Sequence, residues 1–117
     1  MRRAAAVFLR PGEAIQVVFP AMTYSGLKAT VTHELGIGQN QHRIFAVTSD
    51  RIVVLETVDV TWKLARGVVA ELPRSTRLGP PRGLLWYPIP AGKERLRVDR
   101  RFFKDVRAAD AAISASA

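Results

Sequence analysis

Short runs of β-branched and aromatic residues, each bounded by proline, glycine or a polar pair, fill most of this chain of 117 residues. Runs of this length are typical of β-strands, whereas helices need longer segments with a period near 3.6 residues. Strands are expected at residues 15–19, ended by Pro20, and at residues 68–72, ended by Pro73. The pattern therefore predicts a mainly β fold.

Two hairpins are predicted from the remaining runs. Residues 43–48 and 51–56 flank a tight polar turn of Ser-Asp, and residues 84–89 pair naturally with 94–98 across the turn 90–93. Alternate residues of a strand point to opposite faces of a sheet. Both faces of the first hairpin carry apolar residues, so both are expected to be at least partly covered.

The last part of the chain has a different period. Phe102, Val106, Ala109 and Ile113 recur at steps of four, three and four, which is helical spacing. Asp99 lies where an N-cap residue is expected. One amphipathic helix is therefore predicted to close the chain after the strands.

The chain is expected to form a single domain over residues 1–117, with its core in residues 9–113. This length suits one domain, and no low-complexity linker divides it. Residues 22–42 contain glycines and no clean period, which predicts a long, mobile loop. The chain has no cysteine, so disulfide scaffolds, thiolate zinc sites and cysteine nucleophiles are ruled out.

Positive charge is concentrated in the second half. Residues 1–60 carry six basic and five acidic side chains, whereas residues 61–117 carry twelve and five. A one-sided positive field attracts anions such as phospholipid headgroups, nucleic acid or acidic proteins. Fourteen of the 18 basic residues are arginine. Because GC-rich genomes encode arginine-rich proteins, the charge also fits an ordinary solvated surface.

Three features, taken in order, resemble a known family. Residues 9–13 (Leu-Arg-Pro-Gly-Glu) and 47–52 (Val-Thr-Ser-Asp-Arg-Ile), followed by one closing helix, resemble the bacterial PH-like and GRAM-like domains. Residues 72–81 and 101–106 look like an actinobacterial branch of that family. The resemblance implies a PH-like open β-barrel of six to seven antiparallel strands, which one C-terminal α-helix caps through Phe102, Val106, Ala109 and Ile113.

The family resemblance also implies a non-enzymatic binding module for lipid headgroups or protein partners. The eukaryotic phosphoinositide signature places a lysine and a basic-x-Arg triplet around the first strand–strand loop. The equivalent loop here, residues 22–42, offers only Lys28. Any headgroup binding is therefore expected to use the basic second half.

The candidate site is the cluster of cations before and within the last predicted strand. Arginine side chains bind phosphate and carboxylate groups bidentately, and neighbouring strands lie close enough to join such residues into one face. The hypothesis is a peripheral adaptor that contacts an anionic membrane face or an acidic protein partner. Its candidate residues are Arg74, Arg77, Arg82, Lys93, Arg95 and Arg97.

A nucleic-acid-binding small β-barrel is the alternative. That function needs aromatic rings interleaved with cations on one exposed face, and the strand with Arg95 and Arg97 has no aromatic residue. One of Trp86 and Tyr87 is expected to pack in the core and the other to be partly exposed. Trp62 stands beside a lysine in a predicted loop and is the other candidate for an exposed ring.

No catalytic or metal site is expected. His33-Glu34 begins a zincin-like string, but Ile37 replaces its second histidine, and His42 is the only other imidazole. No paired nucleophile and base can be identified for a small esterase or phosphatase. The prediction is a protein without enzymatic activity and without a cofactor.

A cytoplasmic location is expected, with the protein soluble or resting on the inner membrane face. The apolar run at residues 4–9 is shorter than a signal-peptide core. The longest segment without a formal charge, residues 14–27, is shorter than the ~20 residues that a membrane span needs.

Overall fold

The computed structural model describes residues 1–23, 42–57, 64–92 and 94–116. The described residues form two α-helices, six strands and one 3-10 turn. In chain order they are α1 (Arg2–Ala6), β1 (Ile15–Thr23), β2 (His42–Thr48), β3 (Arg51–Thr57), β4 (Ala65–Pro73), β5 (Trp86–Ala91), β6 (Glu94–Asp99), the 3-10 turn (Arg100–Phe102) and α2 (Phe103–Ser116).

All six strands belong to one antiparallel sheet of order β4-β3-β2-β1-β6-β5. The sheet curls into a half-barrel. Its two ends approach at the β5–β6 turn, where a Cβ built on Gly92 would lie 3.6 Å from the Cβ of Ala70 in β4. The predicted mainly β fold, an open barrel of six to seven antiparallel strands capped by a C-terminal helix, is confirmed with six strands.

The concave face of the sheet carries the larger core. Phe19 of β1 stacks on its register partner Phe45 of β2, with ring centroids 5.0 Å apart. Val106 and Ala109 of α2 are buried in the same cluster, and Phe102 packs against it. These three residues seal the concave face as the helical spacing predicts, whereas Ile113 is only half-buried.

The opposite face carries a second core. Ile44 and Ala46 of β2 and Val53 and Leu55 of β3 alternate with the residues of the first core. Ala4 and Ala5 of α1 pack on them. The expectation that both faces of the first hairpin are covered is therefore confirmed, and the short helix that covers the second face was not predicted.

Strand β1 was predicted to end at Pro20, but it continues to Thr23. Among the described residues, strand β6 pairs with β1 at Met22 and Thr23, and Pro20 pairs with β2 alone. A proline costs least at such an edge position. The predicted loop 22–42 is also too wide, since Met22, Thr23 and His42 belong to strands; its remainder, residues 24–41, lies outside the described residues.

The helix start follows the prediction closely. Asp99 accepts a hydrogen bond from the backbone N–H of Arg101 at 3.0 Å. This cap opens the 3-10 turn, and α2 begins one turn later at Phe103. Asp99 thus ends β6 and starts the helical segment, which fixes α2 relative to the last strand.

Candidate functional site

Strand β6 places two predicted site residues on its solvent side. Leu96 and Val98 are buried in the concave core, while Arg95 is exposed and Arg97 is half-buried. The alternation of β6 therefore separates apolar and basic side chains as its sequence predicts. It directs both guanidinium groups away from the core.

Arg97 is held against an aromatic ring. Its guanidinium carbon lies 6.0 Å from the ring centroid of Trp86, which is on the neighbouring strand β5. Its Nη2 lies 4.0 Å from the sulfur of Met22 on the other side. No carboxylate of the described residues forms an ion pair with Arg97. This half-buried guanidinium therefore contacts a ring face and a thioether and is not part of an ion pair within the described residues.

Arg74 has a different environment from the other predicted site residues. Its Nε and Nη2 donate to Oε1 of Gln16 at 3.1 and 2.6 Å, and Nη2 also donates to the carbonyl of Ala109 at 3.2 Å. Burial lowers its pKa, and the nearby Asp110 carboxylate partly opposes this shift. Arg74 thus connects β1 to α2, and its donors point toward the protein.

Arg77 and Arg82 are exposed on the connection between β4 and β5. Leu78 lies between them and is buried, and its N–H and that of Gly79 donate to the Asp110 carboxylate at 2.8 and 2.9 Å. The connection is therefore anchored to α2 while both arginines face solvent. Lys93, the remaining predicted site residue, lies outside the described residues.

A cleft of about 430 Å³ opens beside Arg97. It lies where β1, β2, β5 and β6 meet the 3-10 turn, and most of its lining is apolar. Arg97 and Arg101 supply positive charge to it, and Asp99 supplies the negative charge. The lining residues are Pro20, Ala21, Met22, His42, Leu85, Trp86, Arg97, Asp99, Arg101 and Phe102.

Arg101 was not among the predicted site residues. It follows β6 in the 3-10 turn, where Nε lies 3.2 Å from Oδ1 of Asp99. The backbone N–H of Arg101, helped by its guanidinium, lowers the pKa of Asp99 below its ordinary value, so this carboxylate is ionised at neutral pH. The sequence signal was the pair Arg100-Arg101 directly after β6, but only the turn geometry brings Arg101 to the cleft.

An exposed apolar segment borders the same cleft. Leu84, Leu85 and Trp86, here called the apolar turn, expose 84%, 69% and 39% of their surface. Leu84 and Leu85 were predicted to belong to β5, which instead begins at Trp86.

Of the two adjacent aromatic residues, Tyr87 packs at the core, with its ring 6.5 Å from that of Phe103, and Trp86 is partly exposed, as expected. Trp62 lies outside the described residues.

The backbone holds the apolar turn in place. Gly83 has φ +106°, and a Cβ on it would lie 2.8 Å from the carbonyl oxygen of Trp86. Only glycine adopts this conformation without strain. The carbonyl of Leu85 accepts a hydrogen bond from the N–H of Arg100 at 3.0 Å. The two leucines are therefore exposed on a fixed backbone next to the basic 3-10 turn.

A buried ion pair lies elsewhere and has a structural role. Arg51 donates from Nε to Glu13 at 3.0 Å and from Nη2 to Glu13 at 3.2 Å and to the carbonyl of Phe8 at 3.1 Å. Thr48 donates to Glu13 at 2.6 Å. These contacts, with Arg51 first, lower the pKa of Glu13 from 4.5 to about 2. The network joins the turn at residues 9–13 to the β2–β3 hairpin and leaves Glu13 no proton to transfer near neutral pH.

Within the described ranges, no group of three His, Asp or Glu side chains is placed to hold a metal ion. His33 lies outside these ranges, and His42 lines the cleft. None of the helices in the described part of the chain has the length and apolar character needed to cross a bilayer.

Comparison with known proteins adds no further constraint. No protein-family model, no curated protein and no solved structure matches this chain.

Proposed function

We propose that the protein is a non-enzymatic, PH-like binding module that rests on an anionic membrane face on the cytoplasmic side. One observation carries this proposal: the half-buried Arg97 has no carboxylate partner among the described residues and lies against Trp86, beside two exposed leucines. Cations next to exposed apolar and tryptophan side chains suit the boundary between headgroups and acyl chains.

The number of available cations supports a surface contact rather than a single deep pocket. Arg95, Arg100 and Arg101 are exposed within four positions of Arg97 in the chain, and Arg82 is exposed two positions before the apolar turn. Each basic residue near an anionic bilayer contributes about 1 kcal/mol, and the effect decays within a Debye length. Several such residues together are sufficient for reversible, salt-sensitive peripheral binding.

The proposal is tested by co-sedimentation with phosphatidylcholine vesicles, with and without phosphatidylglycerol, at about 50 and 300 mM salt, where screening differs strongly. We expect pelleting only with the anionic vesicles, and less of it at the higher salt. Pelleting in neither lipid would contradict the proposal.

A matched pair of variants locates the contact surface. Replacing Arg82, Arg95 and Arg97 with serine removes three charges from the proposed surface, and replacing Arg2, Arg3 and Arg66 removes three exposed charges elsewhere. The first variant should lose most of the low-salt pelleting, whereas the second should retain most of it. Equal loss in the two variants would assign binding to net charge alone. Arg74 is left unchanged because its guanidinium connects β1 and α2.

Nucleic-acid binding is the second candidate, and the Arg97–Trp86 pair favours it. The sequence of β6 has no aromatic residue, but the sheet places the Trp86 ring of β5 against Arg97. Bases can stack on such a ring while the cation contacts phosphate. Single-stranded oligonucleotide that quenches tryptophan fluorescence in moderate salt, with no pelleting on anionic vesicles, would favour this function over the first.

A further inference from the structure

We propose that the apolar turn inserts into the bilayer, with Leu84 and Leu85 below the headgroups and Trp86 at the interface. This inference rests on the proposed function, because it assumes that the basic surface contacts a membrane. It assigns a distinct role to three apolar residues that charge alone does not explain.

The exposure of the two leucines is the first argument. Leu84 and Leu85 are adjacent and leave 84% and 69% of their surface in contact with solvent. Single exposed leucines are common on protein surfaces, but two in sequence followed by a partly exposed tryptophan form a continuous apolar projection. Covering this apolar surface lowers the free energy of the system.

The surrounding charge identifies what covers it. Arg82 precedes the apolar turn, Arg97 lies over the Trp86 ring, and the N–H of Arg100 donates to the carbonyl of Leu85. Arg101 lines the cleft together with Leu85 and Trp86. The apolar turn therefore borders a cleft in which two arginines outnumber the one carboxylate, Asp99. This combination of exposed apolar surface and net positive charge complements an anionic bilayer.

The backbone of the apolar turn is held by a hydrogen bond. The hydrogen bond from the N–H of Arg100 to the carbonyl of Leu85 holds the backbone of the apolar turn against the 3-10 turn before any partner is present. A surface that is already ordered loses little conformational entropy on binding. The leucines can therefore enter the membrane without rearrangement of the sheet.

The first test replaces both leucines, with Leu84→Ser and Leu85→Ser in one chain, and measures partition onto phosphatidylglycerol-containing vesicles at about 300 mM salt. Screening weakens the ionic contribution there, so the apolar contribution dominates. We expect partition to fall about tenfold or more, because burying each leucine contributes on the order of one decade in affinity. Val7→Ser is the matched control, since Val7 is 79% exposed at the end of α1, and it should change partition less than twofold.

The second test measures depth directly. Trp62→Phe leaves Trp86 as the only tryptophan, and vesicles with brominated acyl chains quench a tryptophan that lies near the bromines. We expect strong quenching by bromines close to the headgroups and reduced access of acrylamide to Trp86 on vesicle binding.

The outcomes separate the insertion from the proposed function. If the parent pellets with anionic vesicles but the double leucine variant pellets equally well and Trp86 remains open to acrylamide, the insertion is wrong and the surface contact stands. If the parent pellets with no vesicle, both proposals are wrong. If the parent self-associates and the double variant does not, with vesicle binding unchanged, the apolar turn belongs to an interface between copies of this chain, and the insertion is again wrong.

Discussion

Arg51 and Arg97 have the same side chain but opposite environments. Arg51 is buried and its guanidinium donates to Glu13, Glu71 and the carbonyl of Phe8. Arg97 is half-buried, and within the described residues its guanidinium has one hydrogen-bond contact, with the sulfur of Met22. A buried charge must be paired, since an unpaired one costs several kcal/mol. The paired arginine stabilises the fold, and the one without an anion remains available for a ligand.

The Glu13 carboxylate predicts a loss of stability in acid. Its pKa is about 2 in the folded protein, against 4.5 as the reference, so folding favours the ionised form. The stabilisation, about 3 kcal/mol from this shift, is complete above pH 4.5 and is lost as the pH falls toward 2. Denaturant unfolding at pH 7, 4 and 3 measures it.

The Glu13→Gln variant serves as the control for this acid dependence. It should be less stable at pH 7, because Arg51 loses its anion, and its stability should change much less between pH 4.5 and 2. A parent whose free energy of unfolding is constant over that range would contradict the assigned role of Glu13.

Gly79 predicts a steric effect of a single methyl group. A Cβ there would lie 2.6 Å from Cδ of Pro81 and 3.1 Å from Cγ1 of Val106. Gly79→Ala should therefore destabilise the protein by about 1–3 kcal/mol through overpacking. Gly67→Ala is the matched control, because nothing lies within 4 Å of its added Cβ. Equal free energies of unfolding for the two variants would show that the backbone at Gly79 is not packed as closely against Pro81 and Val106 as described.

At the scale of elements, α2 is held to the sheet by polar contacts as well as by its apolar face. Asp110 accepts from the N–H groups of Leu78 and Gly79, and Ala109 accepts from Arg74. Val106 and Ala109 bury the apolar face. The helix thus closes the concave core and also anchors the connection that precedes the apolar turn.

The Arg74 contacts predict that this arginine affects stability more than its exposed neighbour does. Arg74→Ala leaves Oε1 of Gln16 and the Ala109 carbonyl without their donor, which should cost about 1–3 kcal/mol. Arg77→Ala removes an exposed side chain and should cost less than about 0.5 kcal/mol. Thermal unfolding of the two variants compares them directly. If Arg77→Ala were the more destabilising, the connection between β1 and α2 through Arg74 would be wrong.

Element type was predictable wherever one local pattern dominated. Alternation identified the β2–β3 hairpin, and the helical spacing after Asp99 identified the C-terminal helix. The end of β1 was not predictable, because the tolerance of Pro20 depends on where β6 joins the sheet. Helix α1 has only five residues, Arg-Arg-Ala-Ala-Ala, and their burial depends on the far face of β2 and β3.

At the scale of the whole molecule, the site was only partly predictable. The charge asymmetry indicated β6 and its surroundings, and Arg95 and Arg97 lie on the solvent side of that strand. The sequence could not show that Arg74 turns inward, that Arg101 reaches the cleft, or that Trp86 lies against Arg97. Each of these facts depends on contacts between residues more than ten positions apart or on one turn, and no local pattern encodes them.

The curled sheet brings the residues of the candidate site together. Strands β5 and β6 bring the apolar turn, Arg97 and the 3-10 turn to a single cleft. Strand β5 is an edge strand of the sheet and contains Pro88 and Pro90, which disfavours pairing with another strand. Any partner of this edge is therefore expected to bind through side chains rather than by strand addition.

The partition of the parent protein between buffer and vesicles tests most directly whether the protein binds an anionic membrane face. Vesicles of phosphatidylcholine alone and of phosphatidylcholine with phosphatidylglycerol are compared at about 50 and 300 mM salt. We expect binding to the anionic vesicles only, and weaker binding at the higher salt. We also expect binding to be lost when Arg82, Arg95 and Arg97 are replaced by serine. Binding to neither vesicle, or binding that survives this replacement unchanged, would contradict the proposal.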